Sequence, residues 1–299
     1  MHLSSFLAGA LLFGGLAASS SQALQFGSIA WDREGRGALP VAIHDLGDEL
    51  TVVEEVDLGE GHLDLGWSEL TADGTLLREV RFGLGNASRV RSSVITRNGD
   101  LVVAWYERDR GLSRPLGEIH VASFDAEREL RWSWSYSAAA DWFPVLLELP
   151  DGELLVAARV YPSLVLIRLS AEDGSVSSAR QYDVRLAPIA AVVTPAGRVM
   201  LSGGESGRIG LMELSSELDV SWYRNYYTTS SRYHPRHMSL RAGGGLLMAG
   251  SADDEAFGQG DGWTLAVDSS GDIEWQLVHG TAQIEDIWTA IQLPDGGWV

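Results

Sequence analysis

The sequence contains neither cysteine nor lysine, so all 22 basic side chains are arginine. Without thiols there are no disulfides, no thiolate nucleophile, no thiolate-bound zinc and no iron–sulfur cluster. Without lysine there is no Schiff-base chemistry. Positive charge is scarce as well. Against 41 acidic residues the formal net charge is −19, which opposes binding to a phosphate backbone, so no nucleic-acid partner is expected. No stretch shows sustained helical periodicity. What is present is a chain of 299 residues with 45% apolar content, enough for a large core.

The first residues read as a secretory signal peptide over 1–23. An apolar run from Phe6 to Ala18 leads to Ser21-Gln22-Ala23, which places small residues at both cleavage-determining positions. The mature chain is then expected to start near Leu24, in an extracytoplasmic location, periplasmic or secreted. The run is too short to span a bilayer and no cysteine is available for lipidation, so no membrane span is expected.

From Leu24 onward, short alternating apolar runs are broken by Gly, Asp and Asn turns, the pattern of an all-β chain. Comparison of the chain with itself shows a repeat. A tight polar turn followed by an apolar strand recurs as HDLGDELTVV (44–53), TRNGDLVVAW (96–105), LPDGELLVAA (149–158), TPAGRVMLSG (194–203), RAGGGLLMAG (241–250) and LPDGGWV (293–299). The turn glycines 47, 99, 152, 197, 244 and 296 are spaced 45 to 53 residues apart. Midway between them lies a second strand, turn, strand element, so each period holds four strands. A four-stranded antiparallel unit repeating at this period is the signature of a β-propeller blade, whose small sheet buries its faces against its neighbours.

The propeller is expected over 24–299, as five full repeats beginning near Leu39, Ser88, Asp141, Leu186 and Arg232 and a partial sixth from Ile284. The sixth stops inside its second strand, which reads as truncation of a longer propeller. The alternative is a ring closed by an added strand from FGSIAWD (26–32).

The last unit is the most regular: Gly260-Asp261-Gly262-Trp263, then Val267-Asp268-Ser269-Ser270-Gly271, Trp275-Gln276 and Asp295-Gly296-Gly297. These elements resemble bacterial extracytoplasmic β-propeller repeats. Ala266, Asp268, Gly271 and Trp275 are also similar to the tryptophan-docking motif of quinoprotein (PQQ-type) propellers, with Trp132 and Trp222 near the same place in earlier units. That resemblance implies a structural role for Trp132, Trp222, Asp268, Gly271 and Trp275, the indole packing between adjacent blades. It brings no cofactor site, and neither a cofactor nor a metal is expected.

Candidate ligand residues come from the connection between the fourth and fifth units, NYYTTSSRYHPRHM (225–238), read as a loop. It carries Tyr226, Tyr227, Tyr233, His234, Arg236 and His237 towards the face on which propeller ligands sit. Trp142 and Trp288 open the corresponding first strands of units three and six. Aromatic rings with a few cations suit a sugar or an anionic peptide segment; packing of the same rings against their own blade is the competing reading. The acidic loop SADDEAFGQGDGW (251–263) offers oxygen ligands without EF-hand spacing, and reads as solvated charge. No nucleophile elbow stands in a strand-to-helix context. The function expected is therefore a binding or scaffold module for protein or carbohydrate. The competing classes are a propeller enzyme, either a quinoprotein-like oxidoreductase or a glycoside hydrolase, and a repeat fragment of a larger surface protein.

Overall fold

A computed structural model describes residues 38–59, 62–86, 88–108, 117–140, 143–205, 207–226, 231–254, 258–280, 286–293 and 297–298. The expected signal peptide and the FGSIAWD strand lie outside the described residues. Within them the chain divides into two compact units, 38–146 with 170–175 and 147–169 with 176–299.

The strands form five blades of four antiparallel strands, each blade running through its strands in chain order. The first is β1 (Ala38–Asp45), β2 (Glu49–Gly59), β3 (His62–Thr71) and β4 (Leu76–Asn86). The second is β5 (Ser88–Ile95), β6 (Leu101–Arg108), β7 (Gly117–Phe124) and β8 (Leu130–Ala140). The third is β9 (Val145–Glu148), β10 (Leu154–Val160), β11 (Ser163–Leu169) and β12 (Val176–Tyr182). The fourth is β13 (Ala187–Val193), β14 (Val199–Glu205), β15 (Arg208–Leu214) and β16 (Val220–Tyr226). The fifth is β17 (Ser231–Leu240), β18 (Leu246–Asp254), β19 (Gly258–Val267) and β20 (Ile273–His279).

The middle strands are apolar along their length because both of their faces are covered. Leu154, Leu155, Val156, Ala157 and Ala158 of β10 are all fully buried. Among the fourth strands, β12 and β20 are exposed over most of their length. Charge there discourages edge-to-edge pairing.

Two hairpins in every blade turn through a left-handed residue, the geometry of a type I turn followed by a bulge. Between the first and second strands it is always glycine: Gly47, Gly99, Gly152, Gly197 and Gly244 have φ of +76° to +93°. Between the third and fourth strands it is Gly74, Arg128, Gly174, Leu218 and Gly271, with φ of +63° to +85°. Arg128 and Leu218 hold a conformation that costs a non-glycine residue about 1–2 kcal/mol. Tertiary contacts offset it. Arg128 donates from Nε to Glu69 Oε1 at 2.6 Å, and Leu218 is 1% exposed.

These turns receive side chains from the fourth strand of the preceding blade. Trp132 of β8 donates through Nε1 to the Ala171 carbonyl at 3.0 Å, and a Cβ on Gly174 would lie 2.5 Å from its ring. Trp222 of β16 lies against Gly271 in the same way, a Cβ there falling 2.7 Å from the indole. Arg78 of β4 donates to the Glu127 carbonyl at 2.7 Å. The Tyr182 hydroxyl donates to the Leu218 carbonyl, and the Tyr226 hydroxyl donates to the Gly271 carbonyl at 2.6 Å. Arg180–Asp219 and Arg224–Asp272 ion pairs flank these last two contacts.

One expectation is not shown and one is corrected. The partial sixth blade is not shown: among the described residues, 286–293 form no strand, and only an isolated bridge joins Gln292 to Trp298. That segment is held on the fifth blade by single contacts, from Ile287 N to the Gly250 carbonyl at 3.3 Å and from Ser239 Oγ to the Ala290 carbonyl at 2.9 Å. The segment read as a loop up to residue 238 is, from Ser231, strand β17, paired with β18 from Ser231 to Leu240. Its polar residues and Pro235 disguise it, and a register shift between Pro235 and His237 accommodates the proline.

The close approach at Gly174 is testable against Gly47, which has a similar φ but no atom within 4 Å of a Cβ position. Gly47→Ala is expected to cost about 1 kcal/mol, from backbone strain alone. Gly174→Ala, which also displaces Trp132, is expected to cost at least about 3 kcal/mol. Urea denaturation measures both, and equal losses would contradict the docking of Trp132.

Candidate functional site

The first strands of four blades share a bulge at one place. The register shifts between Pro40 and Ala42, Val90 and Ser92, Pro188 and Ala190, and Pro235 and His237. An extra residue reverses the alternation of faces beyond it. In β17 this lets Tyr233 and Met238, one odd and one even, both enter the core formed with Met200, Leu211 and Trp263. His237 and Ser239 turn instead to the segment 286–293. The bulged residue itself, Arg236, is left exposed in the middle of the strand.

Arg236 makes the centre of the candidate site. Its guanidinium lies 4.9 Å from the Trp288 ring centroid. Nε and Nη2 both reach Asp286 Oδ2, at 3.1 and 3.0 Å. Trp288 is 57% exposed, an unusual setting for an indole. One residue before the bulged pair, His234 approaches Asp253 at 3.3 Å, both half exposed. Beneath them His237 accepts a hydrogen bond at Nδ1 from Ala290 N at 3.4 Å, and burial pushes its imidazole down to about 4. Several buried oxygens lack a hydrogen-bond partner among the described residues: Asp286 Oδ1, Thr289 Oγ1 and both carboxylate oxygens of Asp261. Asp261 is opposite Ala252, which is in turn opposite Tyr233. No group of three His, Cys, Asp or Glu residues suited to a metal occurs among the described residues.

Besides His237, which turns to Ala290, the candidates chosen from sequence separate into three sets. Arg236 and Trp288, from different repeats, are in contact, with His234 on the same strand. Tyr226 and Tyr233 are buried, at 9% and 5% exposure. The Tyr226 hydroxyl is committed to Gly271, burial pushes it up to about 12, and Gln276 donates to the Tyr233 hydroxyl at 2.7 Å. Trp142 and Tyr227 lie outside the described residues.

Sequence reasoning missed a second pair of the same kind. Arg91, the bulged residue of β5, stands 4.8 Å from the ring of Phe143, which precedes β9. The signal was an arginine at the bulge and an aromatic just before the next blade's first strand. A second buried histidine also repeats: His44 Nε2 contacts Ser93 Oγ at 2.8 Å, and burial, then the charge of Arg128, lowers it to about 4.

No protein-family model matches the chain, and no curated protein does. Among solved structures it is similar to a protein of unknown function from Dyadobacter fermentans, at TM-score 0.55 and 11% identity over 82% of this chain and 84% of that one. It is similar to a Synechocystis apocarotenoid oxygenase variant, at TM-score 0.53 and 11% identity over 86% and 66%. It is also similar to the Dos1 propeller, at TM-score 0.50 and 12% identity over 82% and 59%. The fold is a β-propeller. At these identities the likeness extends to fold alone, and the chain covers less than two thirds of the length of the last two structures.

The buried histidines give a pH dependence of known sign. Each is neutral in the fold, with a folded value of about 4 against an ordinary 6.5. The unfolded chain therefore binds protons first, so stability is full above about pH 6.5 and declines as the pH falls to about 4. His237→Gln is expected to remove about 2 kcal/mol of the decline between pH 7 and 5, read from urea midpoints. An unchanged pH slope would contradict the neutral, buried state.

Proposed function

We propose that this propeller is an extracytoplasmic binding module, exported by the leader at 1–23, whose ligand is a carbohydrate or a protein segment. The exposed Trp288 supports the reading most directly. A large indole left in water costs hydrophobic free energy that burial would recover, and here its ring lies 4.9 Å from the guanidinium of Arg236, which is itself paired with Asp286. That combination suits a sugar: C–H faces stack on the indole while hydroxyls bond to Asp286, His234 and Asp253. An extended peptide with an acidic side chain would engage Arg236 instead. The repeat resemblance to bacterial extracytoplasmic propellers supports the location, and the packing of Trp222 on the Gly271 turn supports a scaffold in which the repeated motif is architectural.

The reading is tested by titrating the protein with neutral and N-acetylated hexose tetrasaccharides while following tryptophan fluorescence. Trp288→Ala is expected to weaken binding at least about tenfold, equivalent to about 1.4 kcal/mol, with the far-ultraviolet circular dichroism unchanged. Undiminished affinity in Trp288→Ala would move the site elsewhere, and no binding by any of the saccharides would overturn the carbohydrate reading.

A further inference from the structure

The bulge in the first strands releases one residue from the ladder in four blades: Val41, Arg91, Ile189 and Arg236. The bulge itself does not call for an arginine. Val41 packs against the apolar core and Ile189 is half-buried, so an aliphatic side chain serves at that position in two blades. In the other two blades the released residue is charged and exposed. Each of these arginines meets an aromatic ring, Arg91 at 4.8 Å from Phe143 and Arg236 at 4.9 Å from Trp288.

The way each ring is held repeats as well. In the second blade Ser92, the residue after Arg91, accepts from Leu146 N at 2.9 Å and lies 3.3 Å from the Leu146 carbonyl, to which its hydroxyl donates. In the fifth blade His237, the residue after Arg236, accepts from Ala290 N at 3.4 Å, and Ser239 donates to the Ala290 carbonyl at 2.9 Å. Both backbone groups of one residue are thus taken by first-strand side chains, three residues after Phe143 and two after Trp288. This clamp fixes the segment that carries the ring, and Tyr106 adds an edge contact to Phe143 at 5.8 Å and 83°. Stacking on a ring uses the flat face of a guanidinium, whose N–H donors lie in its plane and point past the ring. Such a preorganised set of donors suits the hydroxyl and ring oxygens of a sugar.

We infer that Arg91 and Phe143 form a second saccharide-binding site, built as the Arg236–Trp288 site is, so that one chain binds two saccharide segments. The ligand class rests on the carbohydrate reading of the Trp288 site. Arg91 and Phe143 belong to one compact unit, Arg236 and Trp288 to the other, so each site is complete within its own unit.

Isothermal titration calorimetry with the same hexose tetrasaccharides tests it, because heat counts sites whether or not they contain tryptophan. Wild type is expected to bind two per chain. Phe143→Ala and Trp288→Ala are each expected to bind one, and the double variant none. Arg91→Gln, at an exposed position, is expected to weaken one of the two sites at least about tenfold, and keeps the test valid should Phe143→Ala disturb the fold. A stoichiometry of one that Trp288→Ala abolishes and Phe143→Ala leaves unchanged overturns this inference while the Trp288 site stands. No binding to wild type overturns both readings. Two sites that persist in Arg91→Gln with unchanged affinity overturn the assignment to Arg91 and Phe143.

Discussion

A four-stranded sheet of this size cannot bury two faces by itself, so each blade must be keyed to the next. The key is a steric one: an outer-strand side chain meets the left-handed residue of a hairpin turn. At Trp132–Gly174 and Trp222–Gly271 the indole takes the volume that a Cβ would need. At the turns of Arg128 and Leu218 the bulk moves to the turn residue, and the backbone strain is offset by the Glu69 ion pair in one case and full burial in the other. Tyrosine hydroxyls and arginine–aspartate pairs then fix the angle of approach at the third and fourth blades' outer strands. The ion pairs are exposed and contribute little energy. Their use is in register.

The other recurring device, the bulge near the start of the first strands, is what creates candidate chemistry. It releases one residue from the ladder, and at Arg91 and Arg236 that residue is an arginine placed on an aromatic ring. The same shift of alternation turns His237 inward, where its neutral ring accepts from Ala290. Architecture and site are therefore carried by different residues of one strand. Tyr233 and Met238 build the core, while His234 and Arg236 face water.

Much of the fold could be read from the turn glycines 47, 99, 152, 197 and 244, because only glycine takes their φ values without cost. The second set of turns was harder to read. Arg128 and Leu218 occupy the place of Gly271, and nothing in their residue type announces a left-handed backbone. The fifth repeat was read to begin near Arg232 and β17 begins at Ser231, but its residues up to 238 were read as loop, since the bulge lets a proline and several polar residues sit in a strand. For the site, Arg236 and Trp288 were chosen from sequence and lie in contact, whereas Arg91 and Phe143 were passed over because no histidine or tyrosine marked them. Tyr226 and Tyr233 look like ligand-facing aromatics in sequence. Their burial follows from packing between the fourth and fifth blades, which a linear pattern does not contain.

The steric key is most directly tested by exchanging it. Trp222→Ser with Gly271→Leu would give the contact between the fourth and fifth blades the residue types of the preceding one, where β12 carries Ser178 four residues after its left-handed glycine and the turn it reaches through Tyr182 carries the left-handed Leu218, and a double-mutant cycle by urea denaturation measures the coupling. The account predicts that Gly271→Leu alone is strongly destabilising and that adding Trp222→Ser restores at least about 2 kcal/mol. Strictly additive losses would contradict it.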